Sequence, residues 1–294
     1  MIRIVEVGPR DGLQNEPNFV PTEAKISFVN ALSEIGARDI EVTAFVSPKW
    51  VPQLKDASVV MQGIKQKEGV AYSVLVPNMR GFERAMEAGV QKIAVFTAAS
   101  EGFNSKNINT SIDGSFERMA PVVRAAQDAG VAYRGYVSTA FWCPYDGKVS
   151  PERAADVIER LADMGVTDVS IGDTIGKAKP DEVRALLDVV LKRVEPGRLA
   201  MHYHDTFGRA ADNVLASWDY GINIYDACTG GIGGCPYAPG AAGNVATSTV
   251  VKTLRAAGAD VPLDLLAIER AKNEIIGYLG TQRQPDPMPT EQPR

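Results

Sequence analysis

The sequence predicts a closed (β/α)8 barrel, and three observations carry the prediction. A helix-like stretch repeatedly ends at a glycine with a β-rich run just after it, at Gly36, Gly69, Gly89, Gly130, Gly165, Gly197 and Gly221. Glycine just past a helix end takes the left-handed conformation without a Cβ penalty. The runs that follow are apolar rather than strictly alternating, which suits strands covered by helices. With the opening run at 2–7 these make eight strands within about 250 residues, the usual length of this barrel. An open doubly wound sheet is the other architecture for the same alternation.

Taken in order, the expected strands are 2–7, 38–43, 70–76, 90–97, 131–139, 166–171, 199–204 and 222–227. Parallel neighbours need right-handed crossovers, which the intervening helices supply. Ser150 followed by Pro151 is a hydroxyl N-cap with proline at the first helical position. Ala154, Val157, Ile158 and Leu161 then share one face at helical spacing. Thr22 precedes a segment with Phe28, Val29, Leu32 and Ile35 on one side, and Asn78 is placed to cap the third unit's helix. Residues 262–279 read as an extra C-terminal helix carrying Leu265, Leu266, Ile268, Ile275 and Leu279. Residues 281–294 hold four prolines and almost nothing apolar, as a flexible, disordered tail would. The expected organisation is one barrel domain over 1–280 and a tail over 281–294.

Composition narrows the classes of function. The 294 residues carry 31 Lys+Arg against 36 Asp+Glu, a net charge of −5, with 45% hydrophobic residues. A disordered chain and a general nucleic-acid binder are both excluded on these figures. The longest apolar runs are strand-sized, so no bilayer span is expected. Met1 leads straight into the first strand without a targeting segment. Three cysteines (Cys143, Cys228 and Cys235) do not make a disulfide framework. Both points lead to the expectation of a cytoplasmic protein.

Active sites of such barrels lie at the C-terminal ends of the strands. Arg10 and Asp11 follow the first strand, Glu41 ends the second, Cys143 follows the fifth and Asp173 the sixth. His202 and His204 end the seventh, and Asp226 ends the eighth. These two histidines are the only ones in the chain. On a strand, residues two apart point the same way, whereas on a helix they diverge by about 200°. The pattern therefore suggests a metal site, or else two rim histidines making hydrogen bonds. Asp11 and Asn244 can add oxygen ligands, and a set with no thiolate suits an octahedral divalent ion such as Mg²⁺ or Mn²⁺. Asp11 can equally be a turn residue before Gly12, and Asn244 a cap for the helix after it. Arg10 can hold an enolate or carboxylate oxygen, or pair with Glu41, and the two roles are compatible. Cys235 lies in a loop with six glycines from Gly230 to Gly243, where it is placed for proton transfer. Arg80, Lys106, Lys148, Lys177 and Lys179 form a basic fringe for a phosphate-rich ligand such as coenzyme A, or are simply solvated.

Several longer stretches resemble one family. They are VGPRDGLQNE from Val7, EVTAFVSPKW from Glu41, KNIN from Lys106, IGDTIG from Ile171, HYHDTFG from His202 and GGCPYA from Gly233. Together they resemble the 3-hydroxy-3-methylglutaryl-CoA lyases, metal-dependent enzymes built on the TIM barrel. The resemblance implies that Asp11, His202, His204 and Asn244 bind the cation, that Arg10 polarises an acyl-CoA substrate, and that Cys235 is a catalytic loop residue. It implies supporting roles for Glu41 and Asp173, proton relay through a histidine such as His202, and Thr174 and Trp142 at the substrate pocket. The implied reaction is cleavage to acetyl-CoA and acetoacetate. The alternatives are a related substrate such as citramalyl-CoA or a longer branched thioester, or a condensing synthase of the same superfamily. A homodimer is implied as well, with the extra helix offering an apolar surface. The chain departs from the family pattern at Trp142, where glycine is usual, at Ser248, where glutamate is commoner, and at Tyr203, often a cysteine.

Overall fold

The computed structural model describes residues 1–233 and 243–279. Its barrel strands are β1 (Arg3–Glu6), β2 (Asp39–Ala44), β3 (Ala71–Leu75), β4 (Lys92–Ala98), β5 (Ala132–Ser138), β6 (Val169–Asp173), β7 (Leu199–Tyr203) and β8 (Ile224–Ala227). Each pairs in parallel with the next, and β8 pairs with β1, so the sheet closes and the open doubly wound alternative is excluded.

Helices cover the outside: α1 (Thr22–Leu32), α2 (Ala57–Gly63), α3 (Met79–Glu87), α4 (Glu101–Ile108), α5 (Ile112–Asp128), α6 (Pro151–Asp163), α7 (Pro180–Val190), α8 (Ala210–Trp218), α9 (Thr247–Ala256) and α10 (Leu265–Ile276). Among the described residues, no helix is long and apolar enough to cross a membrane. The fourth unit carries two helices, α4 and α5, where one was expected. The expected tail at 281–294 lies outside the described residues.

The glycine punctuation holds at six of its seven positions, which have positive φ, while Gly197 sits in a short 3-10 turn (Pro196–Arg198) instead. Gly36 is doubly constrained. It has φ +92°, and a Cβ there would lie 2.6 Å from the Pro262 carbonyl, so only glycine lets the segment entering α10 pack this closely. Ser150 accepts from Arg153 N at 3.3 Å and Asn78 from Gly81 N at 3.0 Å, as expected of N-caps. Thr22 does not cap α1. It is the helix's first residue, and its hydroxyl donates to Asp56 at 2.8 Å instead.

α10 begins at an Asp264 cap that accepts from Leu266 N (2.8 Å) and Ala267 N (3.2 Å). It packs on α1, burying Ala267, Ile268, Ala271 and Ile275. The apolar stripe expected to face a partner is thus largely consumed inside the chain, and Leu266 and Tyr278 remain exposed. Two strand ends also shift. Asp173 is the last residue of β6 rather than a loop residue, and β5 stops before Thr139, a β-branched residue held at φ +53°. Beyond it, Trp142–Cys143 pairs antiparallel with Gly147–Lys148.

The barrel interior is polar along one column. Arg134 on β5 reaches Asp226 on β8 (2.9 Å), and Tyr136 on β5 reaches Glu41 on β2 (2.8 Å). Bonds between non-adjacent strands require these side chains to point inward. Below them, Arg134 also bonds Asp168 through Nε at 3.0 Å. Asp168 receives Arg3 at 2.7 Å, and Asp39 pairs with Lys92.

Candidate metal centre and active site

The chain leaves β1 through a five-residue π-type turn, Gly8–Gly12, in which Asp11 N (2.8 Å) and Gly12 N (3.2 Å) both bond the Val7 carbonyl. This tight turn places Arg10 and Asp11 over the barrel mouth. A Cβ on Gly12 would lie 2.7 Å from the Ile232 side chain and 2.8 Å from Cys228 Sγ, so the turn depends on glycine for its packing.

Arg10 is buried and held on two sides. Its Nε and Nη2 each donate to Glu41 Oε2 at 2.8 Å, and its Nη1 donates to Asp11 Oδ1 at 2.5 Å. The Tyr136 ring lies 5.2 Å from the guanidinium carbon, and the tyrosine hydroxyl donates to the same Glu41 oxygen. A register shift between Glu41 and Thr43 in the β2–β3 pairing marks a local irregularity beside this carboxylate. Burial works against the charge on Arg10, but Glu41 and Asp11 outweigh it and raise its pKa further. Arg10 therefore brings a fixed positive charge to the site, and its pairing with Glu41 is what orients it.

His202 and His204 face the same point, with ring centres 5.3 Å apart. Their Nε2 atoms lie 3.8 and 4.0 Å from Asp11 Oδ2. Those distances are too long for hydrogen bonds. Two atoms each about 2.1 Å from one cation lie about 3 to 4 Å apart, so the spacing fits a shared ion. Among the described residues these three form a group able to hold a metal. Asn244 arrives from the other side. An isolated bridge pairs it with His204, and its amide donates to Asp11 Oδ2 at 2.9 Å. It does not cap α9, whose N-cap is Ala246.

The electrostatics follow from burial and neighbours. Burial alone would raise the Asp11 carboxyl, but Arg10, the two imidazoles and the Asn244 bond hold it at about 2. Burial and the adjacent His202 push His204 down to about 4, which keeps its ring neutral. Burial likewise opposes a charge on His202, yet its bond to Asp226 and the Asp11 charge raise its pKa. An ionised Asp11 and a neutral His204 are the forms a divalent ion binds, and such an ion would compete with a proton at His202.

Other expected residues lie apart from this cluster. Asp173 accepts from Lys177 N (3.0 Å) and Ala178 N (3.1 Å), so both its oxygens clamp the β6–α7 loop. Burial raises its pKa to about 7. Thr174 Oγ1 accepts from the strained Thr139 N at 2.7 Å. Trp142 donates to Glu182 at 3.2 Å, with Lys177 Nζ 3.8 Å from its ring centre. Lys148, from the basic fringe, pairs with the same Glu182 at 2.9 Å. Cys143 is buried, and its sulfur accepts from Tyr145 N and Asp146 N. Cys235 lies outside the described residues.

Sequence reasoning missed Glu6, Arg134, Tyr136 and Ser170, and gave Asp226 a place but no role. Glu6 is fully buried and accepts four hydrogen bonds: Gly8 N (3.0 Å), Thr229 N (2.7 Å), Thr229 Oγ1 (2.8 Å) and Thr247 Oγ1 (2.7 Å). It ties the Arg10–Asp11 turn to the start of α9. The available signal was Arg134 and Tyr136, polar residues two apart on a strand and hence on one face.

Comparison with known proteins agrees with this geometry. The HMGL-like family model matches residues 1–275. The cytoplasmic 3-hydroxy-3-methylglutaryl-CoA lyase of Mus musculus is 48% identical over 270 residues, covering 92% of this chain and 79% of the relative. Other relatives of similar identity carry "mitochondrial" in their names. The crystal structure of the HMG-CoA lyase from Brucella melitensis superposes with a TM-score of 0.92 at 52% identity, covering 94% of this chain and 98% of the other. An HMG-CoA lyase from Acinetobacter baumannii, solved with coenzyme A and 3-methylmalate, gives 0.89 at 34% identity and covers 98% of each chain. With the family match running almost from end to end and its relatives covered over most of their own length, the chain belongs to the HMGL-like family.

Proposed function

We propose that this chain is a divalent-metal-dependent carbon–carbon lyase that cleaves 3-hydroxy-3-methylglutaryl-CoA to acetyl-CoA and acetoacetate. The observation that carries this reading is the meeting of Asp11 with His202 and His204 at 3.8 and 4.0 Å, directly beside the Arg10 guanidinium. In this reading Asp11, His202, His204 and Asn244 hold Mg²⁺ or Mn²⁺, with Asn244 presenting its Oδ1 rather than the amide it now turns to Asp11. The donor set is hard oxygen and imidazole nitrogen, which suits these ions.

When bound, the cation supplies the Lewis acidity that lets the substrate's 3-hydroxyl lose its proton near neutral pH. The O–H electrons become the new ketone π bond of acetoacetate. The carbon 2–carbon 3 pair passes to the thioester as an enolate. Arg10, oriented by Glu41, stabilises the charge that develops on the enolate oxygen. A water takes up the hydroxyl proton, and Cys235, with a water as relay, returns one proton to carbon 2, so the step balances. Asp173 holds the β6–α7 loop that carries Thr174 toward the acyl group, and Trp142 with Lys148 and Lys177 forms the rim for the coenzyme A portion. By family resemblance the working form is a homodimer in the cytoplasm.

The test is steady-state release of acetyl-CoA from 3-hydroxy-3-methylglutaryl-CoA and from a panel including citramalyl-CoA, with Mg²⁺, with Mn²⁺ and with EDTA. Cleavage of the methylglutaryl thioester that requires added metal is expected. Faster release from another thioester would move the substrate, and no release from any would overturn the lyase reading.

A further inference from the structure

We propose that Asp226 is a positioning residue that fixes His202 as the tautomer protonated at Nδ1, leaving the Nε2 lone pair aimed at Asp11. The two residues sit opposite each other in the β7–β8 pairing. Asp226 is 2% exposed and faces three polar partners. Arg134 Nη2 gives Oδ1 a bond of 2.9 Å, Ser170 Oγ gives Oδ2 one of 2.6 Å, and His202 Nδ1 stands 3.3 Å from Oδ2. An ionised carboxylate only accepts, so the proton of that last contact belongs to the imidazole. Arg134 is itself fully buried and anchored by Asp168, which holds the Asp226 carboxylate in place and ionised. The His202 ring also stands edge-on to Tyr136, with centres 6.3 Å apart at 89°.

The second imidazole has no such partner. His204 Nδ1 is buried and makes no hydrogen bond among the described residues. One histidine of the pair is therefore set in advance by the barrel interior, and the other is not. A carboxylate behind a metal-binding imidazole orients the ring and makes it more basic. This inference rests on the reading of His202 as a ligand, but its hydrogen-bond content is independent of any metal.

The chain's two histidines make the test clean. The full chain is labelled with ¹⁵N-histidine and its ring nitrogens are recorded in alkaline buffer, with and without Mg²⁺. Assignment comes from a His204→Gln variant. The expected result is a His202 with Nδ1 protonated in both states and a bare Nε2 without metal. In Asp226→Asn, Arg134 keeps the amide oxygen, so the NH2 faces His202 Nδ1 and the proton moves to Nε2. Mn²⁺ affinity, read by titration, should then weaken about 10- to 100-fold. A wild-type His202 protonated at Nε2 would overturn the proposal, as would an Asp226→Asn protein with unchanged tautomer and affinity. Should that variant fail to fold, the wild-type spectrum decides alone. Wild-type protein that binds no Mn²⁺ would count against the ligand reading in the previous section and leave the tautomer result standing on its own.

Discussion

The two ends of the barrel interior use the same residue types to opposite effect. At the lower end, Arg3, Lys92 and Arg134 face Asp39, Asp168 and Asp226, three cations against three carboxylates, at hydrogen-bonding distance. At the upper end, Arg10 faces Glu41 and Asp11, one cation against two carboxylates, with two imidazoles 3.8 and 4.0 Å from the Asp11 oxygen that Asn244 also reaches. The lower network neutralises its own charges, and Asp226 extends it by one contact to His202. The upper one carries one excess negative charge, which the divalent ion of the proposed reading would more than offset. A buried charge network makes a stable floor only when it is complete, because unpaired buried charge is expensive. Incompleteness at the other end is then a mark of function.

That contrast can be broken by experiment. The largest effect expected is on activity, in Asp11→Ala. It should lose bound metal and lower turnover by about a thousandfold or more, since the cation contributes several kcal/mol. Thermal unfolding should hardly move, because Arg10 keeps Glu41. Asp168→Ala attacks the floor instead. It takes one carboxylate partner from Arg134 and from Arg3, leaving three cations against two carboxylates, and denaturant unfolding should show a loss of about 3 to 5 kcal/mol. Equal destabilisation by the two variants would erase the distinction between the ends.

Asp173 sharpens it in a subtler way. Burial raises its folded pKa to about 7 from an ordinary value of 3.8. Between those values the folded state holds a proton that the unfolded state has lost, so the residue's contribution to stability declines as pH rises from about 4 to about 7. Asp173→Asn should remove that decline from a plot of unfolding free energy against pH. The smallest change is expected from Lys148→Ala, whose partner is Glu182 at the open rim and whose side chain is 58% exposed. Its cost should stay below about 1 kcal/mol in the same unfolding measurement. A larger cost would mean the rim is as structural as the floor.

Much of the barrel was legible in the sequence because its punctuation is local. A glycine after each helix and an apolar run after each glycine need no knowledge of the rest of the chain. The histidine pair was legible for a similar reason, since period two on a strand puts both rings on one side. What escaped depends on closure. Arg134 in isolation is a lone charge in an apolar run; only when β5 faces β8 across a closed sheet does it acquire Asp226. Glu6 gains its meaning from Thr229 and Thr247, more than two hundred positions away. The last helix shows the same limit, because periodicity reveals an apolar stripe but not that α1 covers part of it. Asp173 reads in the sequence as following the sixth strand and instead ends it, and the two backbone amides that occupy its oxygens are a property of the loop's path.

The bond between Glu6 and Thr229 spans 223 positions and joins the first strand to the segment leaving the last. A nascent chain emerging from the ribosome therefore makes Arg10 and Asp11 early but cannot assemble them with His202, His204 and Asn244 until almost all of its length is available. Closing so long a loop is slow. Under the proposed ligand set metal capture is accordingly a late event in biogenesis, and a chain cut short before β8 would carry Asp11, His202 and His204 but lack Asn244.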